Sequence, residues 1–206
     1  MRTIRRGGEH ELEIKRSRFV CALARVDGED AARAFIAERR KEHWNASHNC
    51  TAYVLGDDGG VQRSSDDGEP AGTAGVPMLE VLRHRRLTDT VAVVTRYFGG
   101  TKLGAGGLIR AYGNAVSAAV DEMGVLERRR LLVVDVFADY VLGGRLESDL
   151  RDSSLTVRGV AYEDRVRIEV ALPETDLEGF GLRLAELTGG RAEFEVRGVT
   201  IVEVEP

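Results

Sequence analysis

Thr90 to Tyr97 is the segment that most limits what this chain can become. Val91-Ala92-Val93-Val94 is mostly β-branched and uncharged, the chemistry of a strand at the centre of a sheet. It runs into Phe98-Gly99-Gly100-Thr101-Lys102-Leu103-Gly104-Ala105-Gly106-Gly107. From Gly104, the series Leu108, Tyr112, Ala115, Val116, Ala119, Val120 and Met123 then has helical spacing. Gly124 ends that helix. A buried strand, a Gly-rich turn and an amphipathic helix in direct succession put free backbone N–H groups and a positive helix end at one place. Lys102 lies in the turn, with Arg96 and Arg110 at its edges, so the predicted ligand is an anion.

Two nucleotide motifs fail here. Reading from Gly99, Gly104 sits where a P-loop needs it, but Ala105 replaces the lysine. A GxGxxG read from Gly104 and Gly106 needs its third glycine where Ile109 stands. Close packing of helix on sheet is the competing reading of these glycines.

The rest of the first half is mixed. Glu11 to Val26 reads as one extended segment, and Asp27 or Asp30 can cap a helix over about 31–43. Cys50 to Leu55 reads as a strand, followed by a turn at Gly56-Asp57-Asp58-Gly59-Gly60, and a short helix is expected over about 72–83. Strands and helices do not alternate regularly, so the class is α+β. A boundary is expected at Glu127-Arg128-Arg129-Arg130, dividing the chain into 1–130 and 131–206. In the second part, Leu132, Val134, Val136 and Ala138 alternate with Asp135 and Asp139 as a strand buried on one face. Leu142, Leu146 and Leu150 form a helix stripe, and Leu155 to Leu172 reads as a hairpin. Thr175-Asp176-Leu177-Glu178 has the form of a capping box before Phe180, Leu184 and Leu187. Ala192, Phe194 and Val196 give a last strand. The order βαββαβ is that of a ferredoxin-like domain.

Charge separates the same two parts. Residues 1–130 carry 21 Lys/Arg against 18 Asp/Glu, net +3, and residues 131–206 carry 8 against 16, net −8. An anionic partner therefore belongs to the first part, and the acidic second part suits a protein partner. Arg39-Arg40-Lys41, Arg83-His84-Arg85-Arg86 and Arg128-Arg129-Arg130 read singly as solvated or dipole-complementing, and together as an electrostatic footprint. Cys21 and Cys50 have no metal-ligand spacing and read as buried reduced thiols. With no apolar stretch of roughly 20 residues and no apolar region behind the basic N-terminus, the expectation is a cytoplasmic protein without membrane contact.

Two further clusters carry polar chemistry. Asp66-Asp67-Gly68-Glu69-Pro70 is a rigid acidic turn before a helix; an EF-hand reading fails because Gly68, Pro70 and Pro77 occupy ligand positions. His43, Trp44, Asn45, His48 and Asn49 lie between a helix and a strand, with the histidines five apart where a zinc HExxH needs four. A hydrolase using His48 with Asp66, Asp67 and Glu69 is the enzymatic alternative. No nucleophile elbow accompanies it, so no catalytic residue, metal ligand or cofactor is assigned, and a binding module is favoured over an enzyme.

These motifs together resemble a known family. His48-Asn49-Cys50-Thr51-Ala52-Tyr53, Ser65-Asp66-Asp67-Gly68-Glu69-Pro70-Ala71-Gly72-Thr73-Ala74-Gly75 and Arg96-Tyr97-Phe98-Gly99-Gly100-Thr101-Lys102-Leu103-Gly104 are similar, in order, to the signatures of the IMPACT/YigZ family. The resemblance implies an N-terminal domain like the second domain of a small-subunit ribosomal protein and domain IV of elongation factor G. It implies a C-terminal ferredoxin-like domain like domains III and V of that factor. Family members are described as translation regulators that bind RNA or the ribosome. The signature surface falls on His48, Asp66, Asp67, Glu69, Arg96, Tyr97, Gly99, Gly100, Gly104 and Arg110, with Lys102, Gly106 and Gly107 completing the Gly-rich anion loop.

Overall fold

In the computed structural model, which describes residues 1–153 and 155–206, the run Thr90–Tyr97 forms a strand at the middle of a five-stranded sheet. The fold is α+β. The chain divides into two units, Met1–Arg128 with Val204–Pro206, and Arg129–Glu203.

In the first unit the strands are β1 (Arg2–Ile4), β2 (Gly8–Ile14), β3 (Ser17–Arg25), β4 (His48–Leu55), β5 (Val61–Ser65) and β6 (Thr90–Tyr97). The helices are α1 (Glu29–Glu42), α2 (Gly75–His84) and α3 (Ala105–Met123). The sheet has the order β2-β3-β6-β4-β5, every pair antiparallel. Side chains alternate across it. Phe19, Cys21, Leu23, Cys50, Ala52, Val54, Ala92 and Val94 pack with Met78 and Leu82 of α2 and with the α3 stripe. Tyr53, Leu55 and Val91 pack with Ala32, Phe35 and Ile36 of α1 on the other face. With both faces covered, β6 has to be as apolar as it is.

Two local expectations are corrected. The extended segment from Glu11 to Val26 is a hairpin, turning at Lys15 and Arg16 with φ of 47° and 67°. Neither residue is Gly or Asn, so turn chemistry did not announce it. Neither Asp27 nor Asp30 caps α1: Gly28 occupies the N-cap without a side-chain bond. The units divide after Arg128, within Glu127–Arg130 and inside strand β7 (Val125–Ala138), whose first residues pair with β1.

The second unit contains the rest of β7, then α4 (Tyr140–Arg151), β8 (Thr156–Tyr162), β9 (Val166–Leu172), α5 (Leu177–Thr188) and β10 (Glu193–Val204). The order β10-β7-β9-β8 is the ferredoxin-like arrangement. Leu146, Leu150, Phe180 and Leu184 cover Val134, Val136, Ile168 and Val170. The capping box does not form: Glu174–Asp176 makes a 3₁₀ turn, and Thr175 Oγ1 donates to Asp176 Oδ1 at 2.9 Å. Asp135, expected to face solvent, is fully buried. Arg167 and Arg197 reach its Oδ2 at 3.3 and 2.9 Å and shield it on the sheet's outer face. Among the described residues, no helix is long and apolar enough to cross a membrane.

Removing that carboxylate leaves two arginines without their shared anion. Asp135→Ala is expected to destabilise the chain by about 2 kcal/mol, discounted because both guanidinium groups retain some water. Urea unfolding followed by circular dichroism measures it.

Candidate functional site

The acidic turn is held by its own carboxylates. Asp66 accepts from the backbone N–H groups of Gly72 (2.8 Å), Ala74 (3.0 Å) and Gly75 (2.8 Å), which shapes the entry into α2. Partial burial works against the charged form, but the three donors outweigh it and hold this carboxyl below the usual carboxylate range. Asp67 sits at φ 45° and accepts from the Asn49 N–H (2.7 Å) and Arg40 Nη2 (2.9 Å). Its carbonyl accepts from His48 Nδ1 at 2.8 Å, which makes Nδ1 the protonated nitrogen. Glu69 turns inward. Its Oε1 accepts from Arg96 Nη1 (2.6 Å) and the Tyr112 hydroxyl (2.8 Å), and its Oε2 lies 3.9 Å from His48 Nε2.

His48, Glu69 and Arg96 therefore converge, while the three carboxylates are engaged with separate partners. Among the described residues, no group of three or more His, Cys, Asp or Glu side chains is arranged to hold a metal ion. The cysteines are buried and free. Burial raises the Cys21 thiol strongly and pushes Cys50 up to about 12, so both stay protonated near neutrality.

The network continues to the Gly-rich loop. Arg96 Nη2 lies 3.4 Å from Ser17 Oγ, and the same hydroxyl oxygen accepts the Gly99 N–H at 3.2 Å. Gly99 is required by close approach, since a Cβ there would lie 1.8 Å from the Arg16 carbonyl oxygen. The Arg96 guanidinium lies 5.4 Å from the ring centroids of both Phe19 and Phe98. Beyond this point the loop opens to solvent. Gly100, Thr101, Lys102, Gly104, Gly106 and Arg110 are exposed, while Gly107 is half-buried. Gly104 has φ 72°, and the first turn of α3 has no acidic residue and no side-chain cap.

Arg96 is only 5% exposed and so organises this surface from beneath. Tyr97 is half-buried, its hydroxyl 2.8 Å from His43 Nδ1 and its ring 4.4 Å from the Arg18 guanidinium. Members of the basic clusters are also engaged internally. Arg39 binds Glu9 and Glu42, Arg85 binds Asp121, and Arg128 binds Asp89 and Asp57. Ser17 and Tyr112 were not anticipated as parts of the site. Tyr112 reads in sequence as one more member of the helix stripe, and only its hydroxyl, aimed at a buried carboxylate, distinguishes it.

Residues 15–120, which include this whole network, match the Impact N-terminal domain, and residues 136–191 match a domain of unknown function, DUF1949. The chain is 48% identical to "IMPACT family member YvyE" of Bacillus subtilis, over 98% of its own length and 93% of that protein's. It belongs to the IMPACT family. Another IMPACT family member, YigZ of Escherichia coli, is 39% identical over 86% of this chain and 88% of its own. A crystal structure titled as that of a hypothetical protein is 36% identical and superposes with a TM-score of 0.59, covering 94% of this chain and 95% of that one.

In this IMPACT-family chain Glu69→Ala would leave Arg96 buried without its counter-ion, at an expected cost of about 3–5 kcal/mol. Glu69→Ala combined with Arg96→Met is expected to recover part of that loss, which a double-mutant cycle of urea unfolding would reveal. The Asp66 carboxyl ionises at lower pH folded than unfolded. Its contribution is complete above the unfolded pKa of about 4 and is lost as pH falls through the lower folded value. Asp66→Asn is expected to flatten that acid limb in stability measured against pH.

Proposed function

We propose that the first unit of this IMPACT-family protein binds RNA, free or within the ribosome, through the surface around the Gly-rich loop, and thereby acts in translational regulation. One observation carries the reading: Lys15, Arg16, Lys102 and Arg110 are exposed and make no ion pair among the described residues. Several other arginines of this unit are neutralised by nearby carboxylates. The Arg16 backbone abuts Gly99, so the hairpin turn and the loop belong to one surface. Phosphate binding is favoured where unpaired cations meet free backbone N–H groups. The −8 of residues 131–206 directs an anionic partner to the first unit.

The test is filter binding of a short mixed-sequence RNA across a salt series. Removing one cation that meets a phosphate should lower the log–log salt slope by about 0.7 in single-stranded RNA, so Lys15→Ala/Lys102→Ala/Arg110→Ala is expected to lower it by about 2. A triple variant with unchanged affinity and slope would reject the reading.

A further inference from the structure

Trp44 is the chain's single tryptophan and is 81% exposed, an unusual position for its largest side chain. It does not sit on a loose loop. The Ala46 N–H donates to the His43 carbonyl at 3.0 Å, placing Trp44 and Asn45 at the tip of a tight turn. That turn is joined to the segment leading into the Gly-rich loop at three points. His43 Nδ1 meets the Tyr97 hydroxyl at 2.8 Å, the Ser47 N–H donates to the Arg96 carbonyl at 2.9 Å, and the Phe98 N–H donates to Ser47 Oγ at 3.1 Å.

Phe98 is the second open ring, 50% exposed. One side of it faces the Arg96 guanidinium, which Glu69 and Ser17 hold in place. The two segments that carry these exposed rings are thus tied to each other by hydrogen bonds before any ligand arrives. Lys102 follows on the same loop as Phe98.

We propose that Trp44 and Phe98 are a stacking platform for the unpaired bases of single-stranded RNA, and that the chain binds single strands in preference to duplexes. The inference rests on the RNA-binding reading and specifies its substrate. A base offers a π-face to each ring while its phosphates meet the neighbouring cations. An intact duplex keeps its base faces stacked inside and can use only the cations. An apolar protein segment would gain the rings but leave the unpaired cations unanswered, so charge complementarity selects the nucleic acid.

Trp44 also serves as its own reporter, because its fluorescence has one source. The full chain is titrated with end-labelled oligouridine and, separately, with the oligouridine–oligoadenosine duplex, reading label anisotropy and tryptophan emission together. The expected result is quenching by the single strand and affinity about tenfold above that for the duplex. Trp44→Ala should weaken single-strand binding about tenfold and leave duplex binding unchanged, with Trp44→Phe retaining most of the affinity. Phe98→Ala should act in parallel; because that ring covers Arg96, its thermal unfolding is checked, and Phe98→Tyr is the substitution that keeps the stack. Single-strand binding without quenching, unaffected by Trp44→Ala, would overturn the platform and leave RNA binding intact. No binding of either oligonucleotide would overturn both.

Discussion

The Arg96–Glu69 pair is the constraint around which the first unit is arranged. Both side chains are almost wholly out of water, where separating one from the other costs far more than it does at a surface. The pair is tolerable only because each group finds further partners: Tyr112 on the carboxylate, Ser17 and two aromatic rings on the guanidinium. The pair and these partners come from β3, β6 with the residue that follows it, α3 and the acidic turn, segments remote in sequence. Fixing one ion pair therefore fixes the mutual placement of four elements. It also supports Phe98 from below and delivers the chain into the Gly-rich loop at a set angle.

Net charge conceals how unevenly the cations of this unit are used. A value of +3 over 130 residues is unremarkable, and several arginines lie against carboxylates within reach. Internal pairing of this sort removes positive potential from much of the surface. The exposed cations that make no ion pair among the described residues are Lys15 and Arg16 at the hairpin turn and Lys102 and Arg110 at the loop, together with Arg2, Arg6, Lys41 and Arg86.

The large features were legible because burial imposes strong patterns. A strand covered on both faces must be apolar throughout, which is how β6 announces itself, and the α3 stripe and the βαββαβ order follow from simple periodicity. The Lys15–Arg16 turn was not legible, since two long cationic residues carry no turn signal and the hairpin is held by its strand partners. Asp135 misled for a related reason: a carboxylate on an alternating strand reads as solvent-facing, and two arginines far along the chain reverse that. At the site, the residue types of the three motifs were readable, but not their division of labour. Whether an arginine faces water or lies beneath the surface depends on a glutamate 27 residues away.

The buried thiols have a practical consequence. Cys50 lies beneath the acidic turn, its S–H directed at the Asp66 carbonyl at 3.0 Å, and burial keeps Cys21 still further from ionisation. Alkylating reagents attack the thiolate, which neither cysteine supplies near neutral pH. A cysteine newly introduced at an exposed loop position could thus carry a spectroscopic probe selectively, with both native sulfurs left in place.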